Sequence, residues 1–305
     1  MGRGYRDQVR QERLAREQWQ QREAEHQARA DALTAGHLAR RGKGTKHPVE
    51  DFLFEYYNYS PAKLRRWHPG SGVVLADSAD HPRAGWRFYV TDTDGGVRLD
   101  AAAALEHRGN AVGFVRGLLT ATLSRPAFTG CFGLHEWAMV YRSEEEGVRH
   151  TAYPLRLGAA GTDAVVEANA LRCSHFDAYR FFTPAAVPRN ALQPSRDGQV
   201  ELDQPGCLHA GMDVYKWAHK LDPLTPGDLL LDAFELALEI RRLDMEASPY
   251  DLRDLGYAPL PIETPAGKQE YAARQRAFAE RSNALRRRLL AVLDNAECAA
   301  AERIA

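Results

Sequence analysis

One segment, 226–247, constrains the fold more than any other. It reads as a helix with Thr225 as N-cap, Pro226 at the first helical position and Asp228 three residues after the cap. Leu229, Ala233, Leu236, Ile240 and Leu243 form an apolar stripe, while Leu230, Leu231, Phe234 and Leu238 fill other sides. Asp232, Glu235, Glu239 and Arg242 form the polar stripe. Such a helix is apolar around much of its circumference, so its acids are expected to be partly buried. Buried acids need partners, and Arg242 is placed to pair with Glu239 or Glu235.

The rest of the chain is organised around further helices. A length of 305 residues fits one large domain or two modest ones, and a 44% hydrophobic content suffices for a substantial core. Residues 49–59 are densely aromatic and read as a buried helix, followed by a short one through Leu64 to Trp67. Val73 to Leu75 and 86–91 read as strands. Residues 100–123 read as helix, with Gly109, Gly113 and Gly117 on one face suited to close packing. Residues 151–183 read as short extended runs between Gly-rich turns, and 205–222 as helix. In the last helix Tyr271, Phe278, Leu285 and Val292 recur every seven residues as a docking stripe. The expected class is α+β, helix-dominant with a small sheet, in a single large globular domain over 47–305.

Ahead of that domain, residues 1–46 hold eleven Lys and Arg against six Asp and Glu, although the whole chain carries a net charge of -1. Their apolar stripe is thin (Val9, Leu14, Trp19, Leu33, Leu38), so they read as a basic, solvated helical arm ending in a hinge at 42–46. An arm of this kind can also contact a polyanion. The four cysteines include no CxxC pair, no apolar run approaches a membrane span, and the charged N-terminus lacks a signal-peptide core. Reducing cytoplasm is the expected compartment.

Chemistry concentrates in the central third. Cys131, Cys173 and Cys207 each lie just before a histidine (His135, His175, His209), and each histidine has an acid close behind (Glu136, Asp177, Asp213). Imidazole, thiolate and carboxylate are donors for zinc or iron. His135, His175, His209 and Asp213 are therefore candidate ligands of one ion, although buried cysteines and hydrogen-bonded core histidines spell the same pattern. If 175–182 is extended, His175, Asp177, Tyr179 and Phe181 share one face. His175 and Asp177 there form a general-base pair, and the rings can stack on a planar substrate. In the following helix His209, Asp213, Lys216, Trp217 and Lys220 share one side, suited to a polar cleft wall. Arg65 and Arg66, beside Trp67 and His68, can grip a phosphate or simply complement a helix C-terminus.

Segments 47–57, 63–70, 131–141, 173–184 and 207–221 together resemble a large family of bacterial proteins frequent in high-GC actinobacteria. Its members often carry the label 3-methyladenine DNA glycosylase. The resemblance runs from about residue 47 to the C-terminus. It implies an enzyme acting on nucleobases, a DNA base N-glycosidase of base excision repair with DNA as partner. Asp177, His175 and Tyr179 would then be catalytic, Phe181 and Trp217 would stack on the extruded base, and Lys216, Arg65 and Arg66 would bind substrate. The alternative, from the donor pattern, is a zinc- or non-haem-iron-dependent enzyme acting on a small molecule.

Overall fold

The computed structural model describes residues 12–143 and 153–301. In chain order its helices are α1 (Arg16–Gly42), α2 (Phe52–Tyr56), α3 (Pro61–Leu64), α4 (Ala101–Ser124), α5 (Leu134–Ala138), α6 (Gly158–Glu167), α7 (Phe176–Tyr179), α8 (Gln199–Leu202), α9 (Leu208–Lys220), α10 (Gly227–Glu246) and α11 (Pro265–Ala301). The strands are β1 (Glu12–Leu14), β2 (Val73–Leu75), β3 (Tyr89–Thr91) and β4 (Val97–Leu99). The class is helix-dominant α+β.

Helix α10 is the hub. Leu229, Leu230, Leu231, Phe234, Leu236, Ile240 and Leu243 are all buried. Helices α9, α11, α1, α2 and α3 cover it from different sides, which is how a helix apolar on several faces leaves water. Its polar stripe is answered from outside the helix. Asp232 and Glu235 receive Arg29 of α1, Glu239 receives Arg281 of α11, and Arg242 pairs with Glu50 at 2.8 Å. The expected pairing of Arg242 with its own helix does not form. Nor does Thr225 cap the helix. Its buried hydroxyl donates to the Ala218 carbonyl at 2.8 Å, and the first residue before the helix is Pro226.

Residues 12–42 are docked on the body. Trp19 is fully buried and its indole N–H donates to the Ala76 carbonyl at 2.9 Å, while His26, Ala30 and Thr34 are also buried. Leu14 pairs with Leu75 because β1 runs parallel to β2. One large ring and a set of ion pairs supply what the thin apolar stripe lacks; Leu38 stays exposed and Val9 lies outside the described residues. The sheet order is β1-β2-β4-β3, with β1 parallel to β2 and the β2–β4 and β4–β3 pairs antiparallel. Of the expected strand at 86–91 only Tyr89–Thr91 is extended, and β1 and β4 were not expected. Strands of three residues carry too little pattern to announce themselves.

Two further expectations are corrected. Gly109, Gly113 and Gly117 face open space, with nothing within 4 Å of a Cβ built on any of them. Helix α4 instead meets α11 through Val112, Val115, Leu118 and Leu119. The described part of 151–183 is helical at α6 and α7 rather than a series of extended runs, and residues 151 and 152 lie outside the described residues. Along α11, Tyr271, Phe278 and Leu285 are buried as expected, the fourth expected member Val292 is only partly buried, and Leu289 and Leu293 are fully buried instead. Among the described residues no helix is long and apolar enough to cross a membrane.

Candidate functional site

Five chain segments bring ionisable side chains to one place in the interior. Helix α9 carries His209, Asp213 and Lys216 at steps of four and three, which puts them on one side. Helix α5 carries His135 and Glu136 and is entered through Gly133, whose φ of +70° is a left-handed turn that glycine adopts freely. Helix α10 presents Arg241 and Asp244, and the α7 region presents His175 and Asp177. Asp203, one residue beyond α8, closes the set.

His135 Nε2 lies 2.8 Å from Asp244 Oδ1. Arg241 Nη1 donates to Asp244 Oδ2 at 3.0 Å and to Glu136 Oε1 at 3.1 Å. His175 Nδ1 is 2.9 Å from Asp203 Oδ1, and its Nε2 is 3.6 Å from Asp213 Oδ2. The Lys216 ammonium bonds Asp213 at 2.9 Å and Asp177 at 3.0 Å, and the Tyr57 hydroxyl donates to the other Asp213 oxygen at 2.9 Å. His209 stands between the two other imidazoles, with ring centroids 4.5 Å from His135 and 5.6 Å from His175. Its Nδ1 is buried with no hydrogen-bond partner among the described residues.

The electrostatics follow from this layout. Burial, and then the neighbouring His135 charge, push His209 well below the usual imidazole range, so it is neutral. Burial would also lower His135 and His175, but Asp244 and Asp203 respectively override it and raise both. Burial and the Asp244 charge raise Glu136. Asp177 goes the other way: burial would raise it, and the Lys216 ammonium lowers it. Around the imidazoles five carboxylates (Glu136, Asp177, Asp203, Asp213, Asp244) face three fixed cations (Arg180, Lys216, Arg241). The buried Arg286 adds a further cation within electrostatic reach of Asp203 and Asp213, and the raised His135 and His175 lean toward their charged forms.

A cleft of about 420 Å³, within the range of small-molecule sites, reaches the cluster at Glu136, Asp177, His209 and Arg241. It is also lined by Phe52, Tyr56, Tyr153, Phe181 and Tyr250, while His135, Asp244, His175 and Asp213 are not part of its lining. Behind the imidazoles lies a separate cavity of about 20 Å³, lined by Cys131, Cys173 and Cys207 together with His135 and His209. It has room for one water. Burial pushes the Cys173 thiol up to about 12 and raises Cys131 and Cys207 as well, so all three stay protonated.

Two groups of three have donor atoms within 4.8 Å of one another: His135, His209 and Asp244; and His175, Asp177 and Asp213. The four expected ligands thus come together but divide between two groups. Asp177 and Phe181 do line the cleft. Because α7 is a helical turn and not a strand, Tyr179 turns away and donates to Gln193 at 2.6 Å. Trp217 is buried against Phe114 and beneath Lys216. Arg65 pairs with Asp31, Arg66 lies over Trp86, and both line a separate surface groove at the end of α3. Asp244, Arg241, Asp203 and Tyr57 were not anticipated. A signal existed for two of them: Arg241 and Asp244 interrupt the apolar side of α10, opposite its polar stripe.

Compared with family models, with curated proteins and with solved structures, the chain matches none.

Proposed function

We propose that the protein is a metal-dependent enzyme that holds a zinc or iron ion on His135, His209 and Asp244 and acts on a small molecule in the aromatic-walled cleft. One observation carries this reading. His209 is a buried, neutral imidazole with an unpartnered nitrogen, and its donor atom falls within 4.8 Å of those of a second imidazole and a carboxylate. A buried polar atom without a partner is costly. Two imidazoles and one carboxylate are a donor set for catalytic zinc or non-haem iron(II), and they leave coordination positions open. A divalent cation there would take the place of the proton held between His135 and Asp244, which lie 2.8 Å apart.

Such an ion supplies Lewis acidity, and redox capacity if it is iron. The protein supplies two carboxyl groups in opposite states lining the cleft. Asp177 is kept ionised by Lys216 and presents a fixed negative charge to the substrate; Glu136 is raised by burial and donates a proton. Phe52, Tyr56 and Phe181 hold an apolar, planar substrate body. Elemental analysis of protein purified without a His tag tests the proposal. One zinc or iron per chain is expected in the wild type and none in His209→Ala. Metal-free wild-type protein that gains no thermal stability from either ion would falsify it.

A DNA base N-glycosidase, as the family resemblance implies, is the second reading. It has in its favour Asp177 and Phe181 in a cleft wide enough for a planar base. Release of an alkylated base from duplex DNA by the wild type but not by Asp177→Asn is its test.

A further inference from the structure

The second donor group differs from the first in one respect. His175, Asp177 and Asp213 converge as closely as the other three, but an ammonium is already bonded to both carboxylates. Lys216 Nζ lies 3.0 Å from Asp177 Oδ2 and 2.9 Å from Asp213 Oδ2. His175 Nε2 lies 3.6 Å from that same Asp213 oxygen, beyond hydrogen-bond reach. The outer atoms are fixed in the manner of metal ligands: His175 Nδ1 bonds Asp203, and Asp213 Oδ1 accepts from Tyr57. At the first group the nearby cation is the Arg241 guanidinium, which takes the outer oxygen of Asp244 and leaves Oδ1 to His135.

We infer that Lys216 is a resident cation filling a second divalent-metal position made by His175, Asp177 and Asp213, so that a centre with donors for two ions accepts one. Building on the single-metal reading above, this gives the lysine a definite role. It balances two inward-facing carboxylates without a second ion. The side chain is suited to it. Its stem runs from α9 over the Trp217 ring, with Nζ 4.7 Å from the ring centre, so the charged end has little freedom to leave. Without the ammonium, Asp177 keeps as ion-pair partner only the half-exposed Arg180 at 3.3 Å and Asp213 only His175 at 3.6 Å, and the place between the two carboxylates is open to a divalent cation from solution.

The test counts zinc ions per chain by native mass spectrometry and elemental analysis, with wild type and variants equilibrated with the same excess of zinc chloride. Lys216→Met is expected to bind one zinc more than the wild type and to gain more thermal stability from zinc. Lys216→Arg and the double variant Lys216→Met with Asp177→Asn should keep the wild-type count. Lys216→Gln, which leaves a polar group between the carboxylates, repeats the measurement if the Met variant does not fold. Equal counts in the wild type and a folded Met or Gln variant overturn the inference, as does a wild type that already binds two ions and loses one in His175→Ala. The readout is a difference from wild type. A wild type that binds neither zinc nor, in a parallel titration, iron sinks the single-metal reading, whereas the absence of an extra zinc in the variants sinks this one.

Discussion

Along α1, Arg22 reaches Glu12, Arg29 reaches both Asp232 and Glu235, Asp31 holds Arg65, and Arg40 closes on Asp51. Around the imidazoles of α5, α7 and α9, five carboxylates face three cations, and His209 Nδ1 has no partner among the described residues. Both regions are dense in charge. In the first, each of these charges is closed by another of the same chain, although the buried His26 Nδ1 also has no partner among the described residues, and the result is attachment of α1 to the body. In the second the matching is incomplete in the interior, where an unmatched group costs most. A run of charge in a sequence therefore says little about a site, and a shortage of partners in the core says more.

The sharpest way to break this contrast is to remove the unmatched group. His209→Ala should lose the bound ion altogether while keeping its fold, as elemental analysis and circular dichroism would register. If α1 is attached as described, Trp19→Ala should cost about 3–5 kcal/mol in urea unfolding, since it empties a fully buried ring site. A loss under about 1 kcal/mol would mean that the helix is only loosely held. Asp203→Asn keeps the shape beside His175 but removes the charge that orients it. Under the two-position arrangement it should weaken zinc binding to the Lys216→Met variant by about 10–100-fold, with little effect on the wild-type ion.

A smaller effect concerns acid. Asp51 is buried, which alone would raise its carboxyl, but hydrogen bonds from Arg40, His37 and the His47 amide bring it down to about 2. A carboxyl lowered on folding adds stability above its unfolded value of 3.8 and loses it as pH falls through about 2. The wild-type urea midpoint should therefore fall over that acid range, and that of Asp51→Asn should fall less. Smallest of all, Arg29→Ala should cost roughly 0.5–1 kcal/mol and Arg65→Ala within about 0.5 kcal/mol, neither changing metal content. A change in metal content from either would join the two regions.

How far the site could be read in the chain depends on how local its parts are. His209, Asp213 and Lys216 were legible as one face because helical spacing alone puts them there. His175 and Asp177 were found, but with the wrong geometry: the period-two reading aligned Tyr179 with them, whereas the helical turn at α7 sends it toward Gln193. Asp203 could not be found, since nothing in its neighbourhood foretells that His175, distant in the chain, will lie against it. Arg241 and Asp244 were visible as charges on an apolar face, but the polar stripe of Asp232, Glu235, Glu239 and Arg242 drew attention to the side that serves only to bind α1, α11 and Glu50. The face of Gly109, Gly113 and Gly117 suggested close packing, and only the direction in which α4 meets α11 showed that face to be open.

Local periodicity and composition were enough to determine that the chain is helix-dominant and that its most apolar helix is 226–247, because side chains three and four residues apart must share a face whatever surrounds them. The tertiary structure alone decided which charges found partners. Ion pairing and ligand convergence depend on distances of a few ångströms between residues far apart in the chain, and those distances exist only once the hydrophobic faces have chosen their neighbours.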